Sequence, residues 1–261
     1  MATLNNKAVV PTKFELDSKL QFRCHKGIAC FTRCCRNIEI LLTPYDVIRM
    51  KQRLGLPSTE FLVKYTRFQV DDKTTHPLLF MRMMEDNDGY CPFVKPKEGC
   101  TIYSDRPAAC RYYPVGQATH RRMGDDDKTP IHDEWYVLIK EDHCLGFEED
   151  KTWTIAEWRE DQEAALYDSM NLEWKNIMMK QDIPKDRIDE KRQQMFYMAS
   201  FDMDSFRRFV FESRFLEVAE IEPSLLEKMK NDDVELMKFG FDYLKYLFGI
   251  RNSLKIKTGT R

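Results

Sequence analysis

From about residue 150 onward, apolar side chains recur every three or four positions through TIAEWREDQEAALYDSMNLEWKNIMMK, DSFRRFVFESRFLEVAE and PSLLEKMKNDDVELMKFGFDYLKYLFG. That period is the mark of amphipathic helices. Trp153, Trp158, Trp174, Phe206, Phe209, Tyr243 and Phe248 fall on the pattern and read as core rather than as a cofactor box. Upstream the apolar runs are short and punctuated, and nine of the eleven prolines precede residue 131, so loops come first and helices later. The run NIEILL predicts a short strand and LTPYDVIRMKQRLG a helix. Thr43 suits its N-cap, Pro44 its first position, Asp46 its positive end and Gly55 its stop. Ser58 reads as the cap of a second short helix, TEFLVKYT. HPLLFMRMM and YCPFV around EDNDG predict a hairpin with Cys91 on its return strand. Ser104 or Asp105 is expected to cap a turn over RPAAC that delivers Cys110, and IHDEWYVLIK alternates as a strand leading to Cys144.

The pattern predicts an α+β protein. A loop-rich, cysteine-bearing half with a few short strands and two short helices is followed by a mainly α-helical half. The expected divisions are an irregular lead-in over 1–20, a metal-binding domain over 21–148, a helical region over 149–250 packed on it, and a basic frayed tail over 251–261.

Composition narrows the function classes. Lys plus Arg (41) nearly balance Asp plus Glu (43), giving a net charge of −2, so the basic excess of a nucleic-acid binder is missing. No apolar run is long enough to span a bilayer, and the first 19 residues show no apolar h-region. The expectation is a cytoplasmic protein with no nucleic-acid or membrane partner; a protein partner is left unidentified. No Ser-His-Asp arrangement, P-loop or H-E-x-x-H helix is legible. Acidic runs such as Asp125-Asp126-Asp127 and Asp232-Asp233 read as solvated charge.

The cysteines change the picture. All eight lie between Cys24 and Cys144. Cys24, Cys30, Cys34 and Cys35 form C-x5-C-x3-C-C, and Cys91, Cys100, Cys110 and Cys144 supply four more. Disulfides suit oxidising compartments and small domains without a core, and a vicinal pair such as Cys34–Cys35 cannot bridge without strain. Crowded thiols point instead to a soft metal, either zinc or an iron–sulfur cluster. The C-x2-C knuckles that zinc favours are missing, whereas clusters accept irregular spacing, so iron–sulfur ranks above zinc. Eight thiols permit two four-thiolate centres or one centre with spare thiols, and spacing does not choose. His25 and His143 adjoin Cys24 and Cys144 and could replace a cysteine or donate to a sulfur; a solvated loop histidine is the plainer reading of each. Arg106 and Arg111 recur beside cysteines, as do Arg23, Arg33 and Arg36. Guanidinium groups there would offset thiolate charge.

The stretch from Phe22-Arg-Cys24 through Cys34-Cys35, then LTPYDVIRM and EFL–KY, resembles the CxxCxxCC cysteine-cluster family. CPFVKPKEGCTIYSDRPAACRYYP is similar to its second block. The likeness spans roughly residues 22–146, with one departure: the wider C-x5-C-x3-C-C spacing alters the first loop at Lys26, Gly27 and Ile28. The resemblance implies zinc or iron chelation through Cys24, Cys30, Cys34, Cys35, Cys91, Cys100, Cys110 and Cys144. Flagellin lysine N-methylases carry a similar block, which raises methyl transfer. Three functions result: a protein holding an iron–sulfur cluster, of the 4Fe–4S type, with a structural or redox role; a zinc-stabilised binding module; or an S-adenosylmethionine-dependent protein lysine methyltransferase. The last lacks a strand followed by a G-x-G turn.

Overall fold

The computed structural model describes residues 9–72, 75–123, 130–180, 189–250 and 253–257. The fold is α+β, and the chain divides into two compact units. One comprises residues 1–41 and 81–168, the other 42–80 and 169–261. The short helices after Leu42 fall in the second unit, where they pack against the later helices.

In the first unit a three-stranded antiparallel sheet is ordered Val9–Phe14, Pro130–Ile139, Val115–Met123. The expected strand at 131–140 is present, and its hairpin partner Val115–Met123 pairs with it from Val115↔Leu138 to Met123↔Pro130. The lead-in is not irregular where it is described. Val9–Phe14 pairs with the sheet, its register shifting between Val10 and Phe14, where Pro11 has no N–H to give a ladder. Lys19–Gln21 pairs with Thr152–Thr154 and turns Leu20 inward. Leu20, Phe22, Tyr112, Val115, Tyr136, Ile155, Trp158 and Ala164 form the core of this unit. Phe22 meets Trp158 and Phe147 edge-on at 5.5 and 5.2 Å, a geometry that aromatic quadrupoles favour.

In the second unit Pro44–Leu54 is capped as expected. Thr43 and Asp46 form a reciprocal capping box, and Gly55 ends the helix at φ 65°. Ser58 is not a cap: it opens Ser58–Tyr65 after Pro57, and its hydroxyl donates to Asp202 at 2.6 Å. The helices Glu190–Phe201, Met203–Glu212, Pro223–Asn231 and Asp233–Leu247 complete the unit. The third long periodic run is split because Asp232 caps a fresh start, accepting from the N–H groups of Val234 and Glu235. At Gly240 an added Cβ would lie 2.6 Å from the Ala199 carbonyl oxygen, so only glycine lets these two helices approach. In the tail, Lys255–Ile256 is not frayed but pairs with Ala219–Glu220. The Asp125-Asp126-Asp127 run lies outside the described residues. Among the described residues no helix is long and apolar enough to cross a membrane.

Candidate metal centre

All eight cysteines fall in the first unit, as free thiols. Local backbone bonding explains how distant ones meet. Arg23 N–H donates to Gly146 C=O at 3.0 Å and Phe22 N–H to Lys151 C=O at 2.8 Å, which ties the approach to Cys24 against the chain around Cys144. The next loop turns through Ile28 N–H to His25 C=O and Phe31 N–H to Ile28 C=O, lifting Cys30 into the interior. There the Leu145 N–H points at Cys30 Sγ at 3.3 Å. Thr32 then adopts a left-handed conformation and a single turn, Arg33–Cys35, delivers Cys34. Cys24, Cys30, Cys34 and Cys144 line one narrow cleft with Tyr113 and His143. Its free volume of ≈ 10 Å³ is about what one water occupies.

The electrostatics follow from this crowding. Partial burial, with Cys34, Cys30 and Cys144 nearby, pushes the Cys24 thiol up to about 11. Cys34 is pushed higher, first by its hydrogen bond with Cys35, then by burial and by the charges of Cys35 and Glu141. Burial also raises Cys144, while the Tyr113 hydroxyl and the Gly146 N–H favour its thiolate. Thiols so placed resist ionising together, and a bound cation reverses that preference. Gly146 is demanded by space: a Cβ there would meet Phe22 at 2.5 Å and the Arg23 carbonyl at 3.0 Å.

The other four cysteines lie in the same unit. Val94–Lys95 pairs with Gly99–Cys100 in the register Val94↔Cys100. Cys91 does not sit on the expected return strand. The hairpin reduces to a bridge at Met84↔Tyr90, and Cys91 follows it, its N–H donating to Cys35 C=O at 2.9 Å. Cys110 lies within Ala108–Tyr112, which starts after Pro107. Burial pushes Cys91 up to about 11 against the pull of the Phe93 N–H. Cys100 is raised by burial, opposed by the Ile102 N–H and Arg106. In Cys91-Pro-Phe, Cys100-Thr-Ile and Cys144-Leu-Gly alike, the amide two residues on faces the sulfur. Such N–H donors hold and tune metal thiolates.

The two arginines part company. Arg106 is buried and sits in the field of Cys100 and Cys110, as expected of a charge-offsetting neighbour. Arg111, 1% exposed, spends all five donors on oxygens: the carbonyls of Arg106, Gln162 and Ser104, the Glu163 carboxylate and the Tyr167 hydroxyl. It is a clamp on the protein and reaches no sulfur. It also explains why the helical run after residue 154 is two helices, Ile155–Asp161 and Ala164–Met178. The break presents Gln162 to both arginines, with Glu163 at φ 54°.

The histidines differ too. Both nitrogens of His25 are taken, Nδ1 by the Gly27 N–H at 3.1 Å and Nε2 by Glu149 at 3.2 Å. His143 lines the cleft, and its buried Nε2 makes no hydrogen bond, although Glu141 lies 3.4 Å away. Tyr113 and Glu141, joined by a 3.1 Å hydrogen bond, were not read from the sequence as site residues. The Tyr-Pro of C-R-Y-Y-P is the signal that marks Tyr113.

The cleft thus presents four thiols, with amide donors aimed at Cys30 and Cys144 and the His143 Nε2, 3.4 Å from Glu141, in its wall. Residues 23–149 match the CxxCxxCC family, described as "Putative zinc- or iron-chelating domain". This segment is similar to the CxxCxxCC family. The match does not by itself show a relation to the flagellin lysine N-methylases. No curated protein and no solved structure matches the chain. Among the described residues, no three His, Cys, Asp or Glu side chains are already drawn to the closeness of ligands around one ion. Cys24, Cys30, Cys34 and Cys144 share one cleft without being collapsed onto a point.

Proposed function

We propose that the protein is a metal-binding protein whose centre is held by Cys24, Cys30, Cys34 and Cys144, with an iron–sulfur cluster as occupant and a structural or redox role. The carrying observation is the convergence of these four thiols, from residues 24–34 and 144, on one cleft. Irregular spacing without a C-x2-C knuckle supports a cluster. Cys24 is exposed, so its loop is the side on which a larger occupant is accommodated. Such a centre belongs in a reducing compartment, here the cytoplasm. Protein purified without oxygen should be coloured and carry iron with acid-labile sulfide. Colourless protein with stoichiometric zinc would overturn the cluster and leave the thiolate site standing.

The second reading is a zinc-stabilised binding module. The narrowness of the cleft favours it, since a single ion needs no more room than a water. It predicts that chelation unfolds the domain and that no redox signal accompanies metal loss.

A further inference from the structure

We infer that the four thiols of the cleft are unequal ligands: Cys30 is the fixed one, positioned by the backbone amide of Leu145, and Cys24 is the one that soft electrophiles reach first. The inference rests on reading the quartet as a metal site and adds which sulfur anchors the centre and which one opens.

The place of Leu145 in the chain makes its amide available. It begins the single turn Leu145–Glu148, and Cys144 before it is extended, at φ −86° and ψ 108°. The first N–H of such a turn has no acceptor within the turn, and this one points at Cys30 Sγ, 3.3 Å away. Neighbouring contacts hold the donor in place. Arg23 N–H donates to the Gly146 carbonyl at 3.0 Å, Trp153 Nε1 donates to the Phe22 carbonyl at 2.9 Å, and Gly146 leaves no room for a Cβ beside Phe22. The acceptor is held as firmly. Cys30 is 8% exposed, and its carbonyl accepts from Arg33 N–H at 3.0 Å, in a loop already turned by Phe31 N–H to Ile28 C=O.

Cys24 differs on each count. It is exposed at the start of the C-x5-C loop, and among the described residues no hydrogen bond reaches its sulfur. Cys34 and Cys144 are half-buried and lie between these extremes. An amide that donates to a metal-bound thiolate draws charge from the sulfur and lowers its nucleophilicity. Burial adds to this by denying an electrophile its line of approach. Cys30 has both protections and Cys24 has neither. Faced with iodoacetamide, the Cys24 sulfur forms the new S–C bond as iodide leaves, while the Cys30 sulfur is shielded.

The full-length chain loaded with a spin-bearing isotope of cadmium, a soft divalent ion suited to thiolates, tests the positioning by nuclear magnetic resonance. The Leu145 amide proton is expected to show a scalar coupling to cadmium, carried through the N–H···S contact and the metal–sulfur bond. The same loaded protein, treated briefly with iodoacetamide and read by peptide mass spectrometry, is expected to carry several-fold more label on Cys24 than on Cys30. Bound cadmium without coupling to the Leu145 proton, or label on Cys30 equal to that on Cys24, overturns the inference and leaves the metal site standing. A chain that retains no cadmium overturns both.

Discussion

His76 should make the helical unit acid-sensitive. The residue is 1% exposed and its ring packs against Phe196 and Phe248 at centroid distances of 5.1 and 5.7 Å. Burial among these rings lowers its pKa from 6.5 to about 4, against a small opposite pull from Asp71. The unfolded chain therefore takes up a proton near pH 6.5 that the folded chain refuses until about pH 4. Stability from this group is complete above the unfolded value and is lost as pH falls through that window. The full gap corresponds to about 3 kcal/mol, of which about 2 kcal/mol is gone by pH 5. His76→Leu cannot titrate and is close in volume. Urea unfolding of wild type and variant from pH 8 to pH 5, read by far-ultraviolet dichroism, isolates the effect, because carboxylates and metal thiolates contribute to both. The variant is expected to lose about 2 kcal/mol less than the wild type over that range. Parallel pH profiles would show that the ring is not desolvated as described and refute the reasoning.

Arg111→Lys replaces five fixed donors with three and should destabilise the first unit by about 3 kcal/mol, seen as a lower denaturant midpoint with metal content per folded chain unchanged. Lys51, 7% exposed, pairs with Asp233 at 2.7 Å, and Arg207 holds the same carboxylate at 2.6 Å. Burial works against the Asp233 charge, but Arg207 and Lys51 prevail and hold its pKa below the ordinary value. This stabilisation is present above the unfolded carboxylate value and lost as pH falls through the folded one. Lys51→Met should therefore cost about 2 kcal/mol at pH 7 and less in acid, measured by thermal unfolding. In the proposed centre the raised Cys24 thiol must shed its proton to bind metal, so competition with a chromophoric chelator should show affinity falling at least tenfold for each pH unit below 7.

What the sequence revealed depended on how local the cause was. The Thr43 cap needs only Asp46 three residues on, and the strand at 130–139 needs only its own alternation, so both were legible. The strand Val9–Phe14 was not, since its partner lies more than a hundred residues away and Pro11 masks its pattern. The helix Glu190–Phe201 escaped because its apolar residues are spread around it rather than gathered in a stripe, as suits an element packed on several sides. At the site, residue type identified all eight cysteines as candidate ligands. Which of them share a cleft was not legible, because the meeting of Cys24, Cys30 and Cys34 with Cys144 depends on Arg23 bonding to Gly146 across a long loop. Arg111 and Arg106 look alike in sequence; only Gln162, Glu163 and Tyr167, some fifty residues on, make the first a structural clamp.

The central claim is that sulfur alone holds the metal. X-ray absorption at the edge of whichever metal is bound reads this directly in the intact protein. The account predicts a shell of four sulfurs at about 2.3 Å per metal. A shell dominated by nitrogen or oxygen at about 2.0 to 2.1 Å would contradict it.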